Sequence, residues 1–129
     1  MDGAQNLAVF CDIKKKHSAH AVTSDVDIVE TAEAAKFFLA DGVIVTGTST
    51  GQEADVGDLE RVVDAAKDDM AVLVGSGVTE ANIGCYSRAH GLIVGSYFKR
   101  DGRWQNDLEP RRIEGLLQAA AKLRAQEET

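Results

Sequence analysis

The chain has 129 residues, 44% of them hydrophobic, which is enough for one compact domain with its own core. Its 14 Lys and Arg stand against 21 Asp and Glu, and the resulting formal charge of -7 excludes a general nucleic-acid binder or a protein held on anionic lipid. The apolar runs are too short to span a bilayer and residues 1–6 carry no positive n-region, so the expectation is a cytoplasmic protein without membrane insertion.

Residues 7–13, LAVFCDI, read as a first strand that stops on the charged run KKKH. Residues 28–39 place Ile28, Thr31, Ala32, Ala35 and Phe38 at helical spacing, with Asp25 or Asp27 as the N-cap. Residues 42–46, GVIVT, form a second strand that runs into the small, hydroxyl-rich loop GTSTG. A second helix over 58–67 carries Leu59, Val62, Val63 and Ala66 on one face, with Asp58 as its cap. Residues 71–75 make a third strand ending in Gly-Ser-Gly, and Thr79 caps a helix over 80–88. A fourth strand spans 91–95 and again ends on Gly-Ser. After a polar loop at 99–109, Pro110 opens a last helix with Ile113, Leu116, Leu117 and Ala120 along one stripe.

The count is four βα units, and the phrases ADGVIV and AHGLIV mark an internal repeat within it. Such alternation demands a parallel sheet with right-handed crossovers. The candidates are an open four-stranded sheet and half of a (β/α)8 barrel. Successive glycine-ended strands favour the half-barrel, whose functional rim lies at the strands' C-terminal ends. The expected architecture is therefore α/β, a single half-barrel domain over residues 1–129. Four strands cannot close a barrel, so the exposed edges predict a homodimer or a complementary half-barrel as partner.

Gly75, Ser76, Gly77, Gly95 and Ser96 offer main-chain amides and hydroxyls to a phosphate-sized anion, which makes a phosphorylated small molecule the expected ligand. Thr46, Gly47 and Thr48 add donors on the same rim, although ordinary turn chemistry explains them equally well in isolation. Lys99 and Arg100 follow the fourth strand and could pair with phosphate or stay solvated. The sequence has no GxxxxGK[ST] loop and no GxGxxG fingerprint, so a nucleotide would be held only through its phosphate. Asp12 is the candidate general base, and alternation puts it on one side of its strand with Phe10 and Lys14. Lys16 and His17 are candidates for proton transfer, with loop anchoring as the alternative for the ring. His20 and His90 lack partners at metal spacing, so no metal site and no cofactor are expected. Cys11 and Cys85 read as buried reduced thiols, and Trp104 as a buried plug at the end of a barrel rather than a ligand cover.

The ordered phrases FCDIKKKH, LADGVIVTGTSTG, VLVGSGVTEANI, HGLIVGSYFKRDGRWQND and EPRRIEGLL closely resemble the C-terminal half of the BtpA family, which is related to ribulose-phosphate-binding barrels. The resemblance covers nearly the whole chain and implies strands five to eight of an eight-stranded barrel. Lys16 and His17 match the family's Lys-His phrase. His90 stands where the family more often has Asp, and Asp107-Leu108 replaces a Pro-containing phrase. The functions implied are an isomerase- or lyase-type enzyme acting on a phosphorylated metabolite, or a non-catalytic assembly factor in photosystem I biogenesis. A half-barrel without independent activity is a third possibility.

Overall fold

The computed structural model describes residues 3–18 and 21–128. Four strands, β1 (Phe10–Ile13), β2 (Gly42–Thr46), β3 (Ala71–Gly75) and β4 (Gly91–Ile93), form one parallel sheet in the order β1-β2-β3-β4. Helices α1 (Ile28–Phe37), α2 (Val56–Ala66) and α3 (Pro110–Glu127) follow β1, β2 and β4. Strands that neighbour one another in both sequence and space are what successive βα units produce.

The two faces of the sheet differ in kind. Side-chain alternation sends Val43, Val45, Val72 and Val74 to one side, where they are fully buried against Ile28 and Ala32 of α1 and Leu59, Val62 and Ala66 of α2. Each such burial contributes roughly 1.5–3 kcal/mol, so this layer holds the fold together. The same alternation turns Phe10, Asp12, Ile44, Thr46, Leu73 and Ile93 to the opposite side. There Phe10 and Ile93 remain 42% and 48% exposed, and Ile44, Thr46 and Leu73 are only half-buried. This is the side that points inward in a closed (β/α)8 barrel.

Two ladders continue past the strands through side chains. The Val9 N-H donates to Asp41 Oδ2 at 2.6 Å while the Asp41 N-H donates to the Val9 carbonyl at 2.9 Å. One repeat later, the Val72 N-H donates to His90 Nδ1 at 3.0 Å and the His90 N-H to the Val72 carbonyl at 2.8 Å. The ADG and AHG phrases thus build the same clamp. His90 serves in place of Asp because Nδ1, like a carboxylate oxygen, lies one bond beyond Cγ.

Several local expectations shift. The helix expected over 80–88 is only a 3₁₀ turn, Ile83–Tyr86. Thr79 and Asn82 do exchange capping bonds, Asn82 N-H to Thr79 Oγ1 at 3.3 Å and Thr79 N-H to Asn82 Oδ1 at 2.8 Å. The two core side chains that follow, Ile83 and Tyr86, are three residues apart, which is the period of a 3₁₀ turn. The Tyr86 hydroxyl donates to the Ala54 carbonyl at 2.8 Å, and burial pushes the phenol's pKa up. Helix α2 begins at Val56 under an Asp55 cap, whose carboxylate accepts the Asp58 N-H at 2.8 Å, so Asp58 lies in the first turn rather than capping it. Strand β1 starts at Phe10 rather than Leu7, and the Val9 N-H just before it is taken by the Asp41 side chain. Strand β4 ends at Ile93.

Neither cysteine is fully buried. Cys11 is half-buried, and Cys85 is exposed on the outer side of the 3₁₀ turn whose inner side holds Ile83 and Tyr86. Trp104 is 71% exposed in the chain alone rather than buried within it. No helix among the described residues is long and apolar enough to cross a membrane.

Candidate functional site

The loops that leave the C-terminal ends of the strands are tied to one another. The Lys16 N-H donates to Thr46 Oγ1 at 3.2 Å, and the His17 N-H to the Thr48 carbonyl at 3.2 Å. The His17 ring joins this contact: Nε2 accepts the Thr50 N-H at 3.1 Å and lies 2.9 Å from Thr50 Oγ1. Through these two contacts the His17 ring anchors the loop after β2. Thr48 Oγ1 donates to the Gln52 side chain and closes that loop. The Gln52-Glu53 backbone then runs against Gly77, where an added Cβ would stand 2.6 Å from it, and Asn82 Nδ2 donates to Glu53 Oε1 at 2.9 Å and to the Gly77 carbonyl at 2.8 Å.

Beside this network lies a cavity of about 380 Å³, bounded by Lys16, Ser76, Gly77, Gly95, Ser96, Lys99, Trp104 and Arg112 and further lined by the 50–51 and 78–79 segments. Lys16 Nζ donates to Ser76 Oγ at 2.7 Å. Ser76 itself sits at φ 78, a left-handed conformation that costs a non-glycine residue free energy, so its hydroxyl is placed at the rim against local preference. Lys99 Nζ has no hydrogen-bond or ion-pair partner among the described residues. Arg112 donates from Nε to the Tyr97 carbonyl, and its guanidinium lies 4.4 Å from the Tyr97 ring centroid. Three cations therefore meet in a lining that contains no Asp or Glu, although the chain as a whole carries -7. The carboxylate of Glu80, which is not part of the lining, accepts from the Tyr97 hydroxyl at 3.4 Å and lies against Gly115 of α3.

The structure thus brings Lys16, Ser76, Gly77, Gly95, Ser96 and Lys99 together, as candidates read from sequence. It places Thr46, Gly47, Thr48 and His17 one step back, in the interloop network. Asp12 lies on the open face of the sheet and Gly75 is buried at the end of β3, both outside the cavity lining. His20 lies outside the described residues. Among the described residues no three His, Cys, Asp or Glu side chains group as metal ligands. Arg112 escaped the sequence reading. Its signal was available, since Arg111-Arg112 occupies the first turn of α3, where the helix dipole disfavours cations unless something anionic or a carbonyl receives them.

Known proteins now bear on this geometry. The chain is 51% identical over 114 residues to an uncharacterised mitochondrial protein of Caenorhabditis elegans, which covers 88% of this chain and 40% of that protein. It is 34% identical over 122 residues to the photosystem I biogenesis protein BtpA of Synechocystis, covering 92% and 41%. An uncharacterised protein of Methanocaldococcus jannaschii is 33% identical over 119 residues, covering 92% and 44%. The chain spans about two fifths of the length of the curated relatives it matches. No solved structure gives a significant match. The BtpA family profile matches residues 3–122, nearly the entire chain, and the protein belongs to the BtpA family.

Proposed function

We propose that the protein binds a phosphorylated small molecule at the C-terminal rim of its strands. The observation that carries this reading is the lining itself: Lys16, Lys99 and Arg112 without a carboxylate, in an acidic chain. Unneutralised cations in a partly enclosed site favour an anion, and the Ser76 and Ser96 hydroxyls supply neutral donors beside them. The glycine loops support a phosphate because Gly95 leaves open space, with nothing within 4 Å of an added Cβ.

Lys99 gives the clean test, because its ammonium has no partner to lose. Titration calorimetry with ribose 5-phosphate is expected to show binding that Lys99→Ala weakens about tenfold, with an unchanged melting temperature, as for loss of one charge-assisted contact. Equal binding by both proteins would refute the anion site. If the ligand reacts, Lys16 is the group in place to move a proton at it, consistent with isomerase- or lyase-type chemistry, whereas Asp12 and His17 would act from outside the present cavity.

A second reading has its own support. The Synechocystis relative bears the name of a photosystem I biogenesis protein, and this chain exposes Phe37, Phe38 and Leu39 together at the end of α1, as a surface for assembly would. In either case we infer that the open sheet face is closed by another copy of the chain or by a complementary half-barrel.

A further inference from the structure

Trp104 is the only tryptophan in the chain, is 71% exposed, and borders the same cavity as the three cations. The loop that carries it is braced without using the indole. Lys99 and Leu108 form an antiparallel bridge, the Arg100 N-H donates to the Asp107 carbonyl at 2.9 Å, and Asn106 Nδ2 donates to the Arg100 carbonyl at 2.9 Å. Gly102, at φ 67, lets this loop approach Arg112, whose Nη2 would lie 3.3 Å from an added Cβ. An ordered loop therefore holds a large aromatic surface in water beside an anion pocket, where the indole contributes nothing to the core.

We propose that the ligand is a phosphate monoester bearing a flat unsaturated ring, of the mononucleotide class, with its phosphate among Lys16, Ser76, Lys99 and Arg112 and its ring stacked on Trp104. This rests on the anion-site reading above. A cavity of about 380 Å³ suits one nucleotide rather than two. Stacking on the indole is sequence-tolerant because every base has a π-face, so the proposal concerns the ring as such and not one base.

The test uses the intact chain, with calorimetry and the emission of this single tryptophan read together. Adenosine 5′-monophosphate is expected to bind about tenfold tighter than ribose 5-phosphate and to quench the indole emission. Trp104→Ala removes that advantage, so that the two ligands bind alike, while Trp104→Phe keeps part of it. Equal affinity for the two ligands, with no quenching, overturns the stacking proposal and leaves the anion site standing. Binding of neither overturns both. Emission typical of a buried indole in the free protein, unmoved by the nucleotide, assigns Trp104 to packing between chains and also overturns the proposal.

Discussion

At the scale of single residues, similar letters do different jobs. Gly77 and Gly95 each stand beside a serine at a strand's end, yet only Gly77 is demanded by the fold: its φ is +69, and a Cβ there would meet the Gln52-Glu53 backbone at 2.6 Å. Gly95 faces open space, so its lack of a side chain serves the cavity rather than packing. Sequence shows the glycine and cannot show which neighbour approaches it. His90 carries the opposite lesson, since an apparent departure from the family's Asp preserves one contact. Val72 is fully buried, and its N-H depends on His90 Nδ1. His90→Ala is expected to cost about 1–2 kcal/mol in urea unfolding by stranding that N-H, whereas His90→Asp should stay within about 0.5 kcal/mol because a carboxylate oxygen reaches the same place. Equal losses in the two variants would mean that the clamp contributes nothing.

At the scale of elements, Asp27 links two helices. It caps α1 in a capping box with Glu30 and pairs with Arg61 of α2. The Arg61 hydrogen bond, then that from the Val29 N-H, holds its carboxyl below the usual carboxylate range, and Lys36 does the same for Asp69. A carboxylate whose folded pKa is depressed stabilises the fold fully above its unfolded value of about 4, and that stabilisation is lost as pH falls through the lower folded value. The urea midpoint of the wild type should therefore drop more steeply between about pH 5 and pH 2 than that of Asp27→Asn, which retains the cap but not the charge. Parallel profiles would exclude Asp27 as a source of acid sensitivity. Cap identity was legible only to within a turn, because Asp25, Asp27, Asp55 and Asp58 all have the right chemistry. In α2 it is the Asp55 carboxylate that accepts the Asp58 N-H and caps the helix. The 80–88 segment misled for a related reason: capping residues announce that a turn starts, while the spacing of Ile83 and Tyr86 decides how far it runs.

At the scale of the whole molecule, one sheet face is a finished core and the other is not. Phe10 and Ile93 on that face, and Phe37, Phe38 and Leu39 at the end of α1, leave large apolar side chains in water. Native mass spectrometry is expected to find a species of twice 13.8 kDa, and a monomer alone would transfer the closure of this face to a complementary half-barrel. The sequence by itself determined the parallel βα order and the glycine-rich strand ends, because these follow from hydrophobic periodicity and turn chemistry acting over a few residues. Only the tertiary structure decided that Arg112, 36 positions beyond Ser76, shares a cavity with it and with Lys16, that His17 is spent on anchoring Thr50, and that Trp104 stands in solvent at the rim. Those are matters of which distant loops meet, and local pattern carries no information about contacts made through space.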